Sequence, residues 1–324
     1  KKYKNNIFKV LPSFQNLKNE SNDFLAIFSL ALNNLGVIYS NQSKLGKARF
    51  VHNRALIIRK SLANSNSLLL KGSVGQSLNN LATLHFDQNE YLKAREKFED
   101  ALSIYQKLAR QDPHTFLPFV ANALLNIAGS LRKNDAHKAE KKYQESLDIY
   151  RQFNNNDPQS FLADFASALT KTASFHLEQS KFKKAQINIQ EALGIYQKLT
   201  EKNPYKFLPE TAFAYKNAAI FHSKMNEFNV AQKNQQKALD IYQKLAEQNP
   251  SRFKPDVASC LLDLAKLQIN ENEFNVAQKN QQKALDIYQK LAEKNPNRFK
   301  PDVASCLLHL AFVASTMGTK FLMN

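Results

Sequence analysis

The chain has 324 residues, with 45 Lys and Arg against 28 Asp and Glu, a formal net charge of +17. Seven glycines and no tryptophan, in a chain dominated by Ala, Leu, Lys, Gln and Asn, favour helices and leave little room for a fold built on tight glycine turns. A charge balance of this kind admits an acidic partner, nucleic acid or an anionic surface, although lysines between core positions of a helix are most simply a solvated outer face.

In chain order, residues 1–23 read as a lead-in helix or partial repeat, and over 24–315 one unit recurs. A small residue marks the middle of each apolar stretch at Gly36, Ala82, Ala128, Ala173, Ala219, Ala265 and Ala311, with spacings of 46, 46, 45, 46, 46 and 46. A second series follows twelve positions later at Ala48, Ala94, Ala185, Ala231 and Ala277, with Ala139 one residue early, which places a single deletion in the turn at residues 132–135. The segments 227–265 and 273–311 differ only at Gln248/Lys294, Ser251/Asn297 and Asp263/His309. A catalytic constellation has no reason to be copied in tandem, whereas a stacked structural unit does.

Within residues 250–295, the stretch from Pro250 to Pro255 reads as a linker, and Pro255-Asp256 as a helix start; Ser73 stands at the position of Asp256 in an earlier copy. Val257, Leu261, Leu264, Ala265 and Leu267 recur at helical spacing, residues 270–273 form a turn, and a second helix runs from Phe274 to the stop at Asn295-Pro296. Neither helix can bury its apolar stripe alone, so the hairpins stack, with Tyr105, Tyr150, Tyr196, Tyr242 and Tyr288 as a core series. Cys260 and Cys306 occupy one position in successive copies, about one helix-packing distance or more apart, roughly 8–10 Å, too far for a disulfide. They read as buried thiols in a reducing, cytoplasmic setting. No apolar run approaches the roughly 20 residues of a membrane helix, so no membrane partner is expected. Residues 316–324 read as the start of a further helix, cut short, in a longer polypeptide.

Leu78-Asn-Asn-Leu81-Ala82 and Leu261-Leu-Asp-Leu264-Ala265 in first helices, with Tyr91, Ala94, Ala101 and Leu102 in a second, resemble the tetratricopeptide repeat. The 46-residue period exceeds that family's usual 34 and is similar to the long variant of kinesin light chains; the family's early Trp is Leu here. The resemblance implies an all-α fold, a right-handed α-solenoid of stacked antiparallel helix pairs. It also implies a protein–protein interaction scaffold whose first helices line a concave groove for an extended peptide or partner domain, of the kind that accompanies bacterial sensor and signalling modules.

The groove level lies two residues before each small residue, at Asn34, Asn80, Asn126, Lys171, Asn217, Asp263 and His309. An Asn amide offers a donor and an acceptor, matching the backbone of an extended chain, and similar asparagine ladders occur in the arrays of O-linked N-acetylglucosamine transferase and kinesin light chain. Lys216, Arg132, Lys224 and Lys266 flank this level and lean it positive, which points to a ligand with acidic residues.

His85, His176 and His222 share one position three residues after the small residue. No Cys or carboxylate recurs beside them as metal ligands would, so they read as packing residues. No phosphate loop, nucleophile elbow, HExxH or CxxC is present, and the expectation is a chain that is not an enzyme and uses no cofactor. A nucleic-acid-binding solenoid ranks second, because Lys far outnumbers Arg and the periodic aromatics lie on core positions. Self-association through apolar end faces is also allowed.

Overall fold

The computed structural model describes residues 21–42, 44–63, 67–156, 161–203 and 205–323. Among them every regular element is a helix, and the helices alternate as first and second members of antiparallel pairs: α1 (Asn22–Asn41), α2 (Leu45–Leu62), α3 (Leu68–Asp87), α4 (Tyr91–Ala109), α5 (Pro113–Leu131), α6 (Ala136–Asn156), α7 (Leu162–Glu178), α8 (Phe182–Lys202), α9 (Leu208–Lys224), α10 (Phe228–Gln248), α11 (Pro250–Asn270), α12 (Phe274–Lys294) and α13 (Pro296–Met323). The all-α solenoid expected from the repeat is observed. The expected lead-in lies outside the described residues up to residue 20, and α13 continues to Met323 through the positions where a turn and a new helix are expected.

The chain forms two compact units, residues 1–150 and 151–324. In the first, Leu32, Val51, Ile58 and Leu81 pack α1, α2 and α3 together, and Leu78, Tyr105, Phe116 and Leu124 continue the core through α3, α4 and α5. In the second, Ala173, Ile189 and Phe221 join α7, α8 and α9, while Leu239, Tyr242, Leu261, Leu285 and Tyr288 hold α10, α11 and α12. Apart from Ala311, which is exposed, the small residues are buried as expected, Ala82, Ala94, Ala128, Ala173, Ala185, Ala265 and Ala277 wholly so, because a larger side chain there would force the helix axes apart.

Two features of the linkers correct the sequence expectation. Helix α11 starts at Pro250, and Pro255 lies inside it; likewise α5 starts at Pro113 and encloses Pro118. The outer proline suits the first helical position, where an N–H would be unpaired anyway. The reason for the early start is packing: Phe116, Phe253 and Phe299, each two residues before the inner proline, are buried, and the Phe253 and Phe299 rings lie 6.4 Å and 6.3 Å from those of Tyr242 and Tyr288. Ser67, not Ser73, caps α3, its hydroxyl accepting from the Leu70 N–H.

The hairpin turns follow one rule. Asn89, Ser180, Asn226 and Asn272 hold left-handed φ values of 60°, 55°, 59° and 64°, and the next residue's N–H returns to a carbonyl five residues back, as in Glu90 N–H to His85 O at 2.9 Å and Lys181 N–H to His176 O at 2.8 Å. This is the helix-ending geometry in which the chain reverses with its last carbonyls satisfied. The deletion is explained by α5, which ends three residues after Ala128, whereas α3, α7, α9 and α11 run five residues past theirs.

Candidate functional site

The ladder positions lie on the first helices, and the structure shows what their amides do. In the first unit, Asn80 Nδ2 donates to Asn33 Oδ1 at 2.8 Å. Asn126 Nδ2 donates to Asn79 Oδ1 and to Asn122 Oδ1, both at 3.0 Å. In the second unit Asn217 Nδ2 donates to the Thr170 carbonyl at 2.9 Å. Apart from the Asn126–Asn122 bond within α5, each of these bonds runs from one first helix to the preceding first helix, 47 residues earlier. The ladder is therefore a polar seam that ties neighbouring hairpins together. Asn34 remains exposed and Asn80 and Asn126 half-buried, whereas Asn217 is 2% exposed, its carboxamide spent on the seam. The signal for this seam was the neighbouring polar residue at each level: Asn33, Asn79, Thr170 and Lys216.

Lys216 continues the seam in the other direction. Its Nζ lies 3.0 Å from Ser259 Oγ and 3.5 Å from Asp263 Oδ2 on α11, 43 and 47 residues ahead. Lys266 Nζ lies 3.6 Å from Asp263 Oδ1, so one half-exposed carboxylate stands between two ammonium groups. Lys224 joins them around a notch between α9 and α11, a cavity of about 150 Å³. Ile220 and Leu267 supply its apolar wall, and Gln235, from α10, lies at its base. Gln235 is 1% exposed and its Nε2 donates to the Cys260 carbonyl at 3.2 Å. Thus Lys224, Asp263 and Lys266 of the expected groove set line this cavity, and Lys216 adjoins it through its pair with Asp263; Gln235, Ile220 and Leu267 were not singled out from the sequence. The signal for Gln235 was a glutamine at the core position that holds Phe98 in α4 and Ile189 in α8.

Lys171, on α7, is open to solvent, yet the protein around its ammonium depresses its pKa through desolvation, with Asp164 and Glu210 opposing. Asp164 is shifted upward, chiefly by desolvation and against the pull of Lys171 and Lys206. His309 on α13 and Arg132 after α5 are half-buried.

Two models of the tetratricopeptide repeat match residues 73–152 and 259–298. Over these two stretches the chain is built of tetratricopeptide repeats. No curated protein matches its sequence. Among solved structures it is similar to BtubC (BKLC) from P. vanneervenii, with 20% identity over 78% of this chain and 92% of that one and a TM-score of 0.60. It is similar also to the apo form of RapI, with 16% identity over 89% and 92% and a TM-score of 0.59. A Rap protein complexed with competence and sporulation factor matches with 13% identity over 94% and 79% and a TM-score of 0.53. At these identities the likeness is one of fold.

Within the tetratricopeptide hairpins the histidine series has local partners. His85 Nδ1 lies 2.5 Å from Glu90 Oε2 and His222 Nδ1 lies 2.5 Å from Glu227 Oε2, each pairing the end of a first helix with the residue that precedes the second. The contact with His85 holds the Glu90 carboxyl below its ordinary pKa. His176, buried, meets Asn188 Nδ2 at 3.4 Å. Among the described residues no group of three or more His, Cys, Asp or Glu is placed to hold a metal ion. Cys260 and Cys306 are free and buried, and burial pushes their thiols up to about 12 and about 11. By length and composition α1 is long and apolar enough to cross a membrane, a property the sequence reading did not register.

Proposed function

We propose that this tetratricopeptide array is a scaffold that holds an extended segment of a partner protein along the face formed by its first helices, without catalysis of its own. The observation that carries this reading is the α9–α11 notch, where Lys224, Asp263 and Lys266 of the expected groove set line one cavity and Lys216 is paired with Asp263 beside it. Above it the same face of α9 presents Phe213 and Ile220, 38% and 41% exposed, apolar groups without an interior to fill and so available to a ligand. The seam beneath keeps neighbouring first helices in register, a condition for reading a chain that spans several repeats. The Rap protein of similar fold, whose structure contains competence and sporulation factor, agrees with ligand binding by such an array.

The test is selection of displayed peptides on the immobilised full chain. Phe213→Asp/Ile220→Asp is expected to weaken the selected peptides at least about tenfold, or 1.4 kcal/mol, while Lys233→Glu/Lys279→Glu on the second helices leaves them unchanged. The opposite pattern would remove the groove from the proposal.

A further inference from the structure

We propose that the outer face of α2 docks the chain on an anionic lipid surface. The proposal is independent of the groove reading and concerns a second helix of the first unit. The expectation of no membrane partner rested on the length that a spanning helix needs, which docking on a surface does not.

Charge is concentrated at this end of the chain. Residues 1–62 hold eleven Lys and Arg against Glu20 and Asp23, so nine of the net +17 fall in less than a fifth of the sequence. Helix α2 carries five basic residues and no acid, whereas every other second helix carries at least two Asp or Glu. Two of the five are engaged within the protein: Arg59 is buried, and Arg49 Nη2 lies 4.0 Å from Glu90 Oε2. Lys47, Arg54 and Lys60 are exposed and alternate with Phe50 and Ile57, 44% and 60% exposed. Steps of three and four residues gather all five on one side of the helix, and the Arg54 guanidinium stands 5.6 Å from the centre of the Phe50 ring. The other copies supply a comparison. At the positions of Phe50, Arg54 and Ile57, α10 has Lys233, Lys237 and Asp240, α12 has Lys279, Lys283 and Asp286, and α4 has Glu96, Asp100 and Ser103. Where those helices offer water only polar groups, α2 offers two large apolar ones flanked by cations. A bilayer interface satisfies both kinds: the ring and the branched alkyl group enter the acyl boundary, while the lysines and Arg54 reach the headgroups along their own methylene stems. A nucleic acid would use the cations and leave Ile57 in water.

The experiment is sedimentation of the full chain with vesicles of phosphatidylcholine alone or mixed with phosphatidylserine at about 70:30. Binding to the mixed vesicles is expected, at least about tenfold weaker on phosphatidylcholine alone and weaker as salt rises, since the charged part is screened. Phe50→Ser/Ile57→Ser keeps the net charge and should lower the partition at least about tenfold, because it removes the groups that enter the acyl boundary. Arg54→Asp/Ile57→Asp, which installs residues that α4 and α10 carry at those positions, should lower it at least as far. Lys233→Glu/Lys237→Glu on α10 removes more charge and should leave it within about twofold. No binding to the mixed vesicles, an equal loss with the α10 pair, or a Phe50→Ser/Ile57→Ser variant that binds like the parent would overturn the proposal. So would single-stranded RNA or polyglutamate that binds through Phe50 and Ile57 when the vesicles do not. Peptide selection that depends on Phe213 and Ile220 is unaffected by any of these results, so the two readings stand or fall separately.

Discussion

At the scale of single residues, the first hairpin departs from its copies in its interior. Arg59 occupies the position of the tyrosine series and His52 that of Phe98, and they are 2% and 1% exposed. Arg59 is held by neutral acceptors: its Nε donates to Ser29 Oγ at 3.3 Å, and its Nη1 to the Ser73 carbonyl at 3.0 Å and to Ser77 Oγ at 2.9 Å. The His52 ring fills the space left by Gly36, where a Cβ would stand 2.4 Å from it, and its Nδ1 has no hydrogen-bond partner. Burial first, and Arg59 second, lower its pKa from 6.5 to about 4. The unfolded chain therefore takes up a proton before the folded one does. The stability that neutral His52 contributes is complete above about pH 6.5 and is lost as the pH falls through that value toward 4, an effect of about 3 kcal/mol over the whole range. Amide exchange in α1 and α2, corrected for intrinsic rates, should show this loss between pH 7 and pH 4.5. His52→Gln, which installs the residue of the Gln235 and Gln281 copies, should remove most of it. A pH profile identical in the variant would show that another group is responsible.

At the scale of elements, the hairpin turn sets the register of every pair. Three of the four left-handed turn residues are asparagine and the fourth is Ser180; asparagine tolerates that conformation better than serine because its side chain can bond locally. Ser180→Asn is thus expected to stabilise the α7–α8 hairpin by about 0.5–1 kcal/mol, seen as a higher denaturation midpoint without a change in slope. A drop would mean that the serine hydroxyl is used in the turn. Element type was readable from the chain because the 3.6-residue stripe and the small-residue series repeat together. The start of α11 was not, since the stretch from Pro250 to Pro255 reads locally as a linker and only the burial of Phe253 carries the helix through it.

At the scale of the whole molecule, the charge of +17 is carried in good part by exposed lysines of the second helices, such as Lys233, Lys237, Lys279 and Lys283. A polyanion will feel these residues irrespective of sequence, through counterion release. RNA binding by the chain should accordingly be weak, steeply dependent on salt, and reduced at least about tenfold when these four lysines become glutamate, with the binding of the selected peptides unaffected. RNA binding that survives this change but falls with Phe213→Asp/Ile220→Asp would instead place nucleic acid on the first-helix face.

Much of the candidate site was visible in the chain as positions, and little of it as roles. Asp263 belongs to a recurring level that periodicity alone identifies, and Lys216, Lys224 and Lys266 flank that level. Asparagines of that level were expected to face a ligand, yet the bonds of Asn80, Asn126 and Asn217 run to the neighbouring helix, because a residue 47 positions away is one repeat back and one step along the face.

Period, helical hairpins, buried alanines and the tyrosine core follow from the chain itself, since each depends on spacing that any regular stacking preserves. Which polar groups pair across the stack, and which remain to line a cavity, was decided by the tertiary structure alone. Hydrogen bonds and ion pairs act over about 3–4 Å, and differences of that size arise from how two helices settle against one another rather than from the order of their residues.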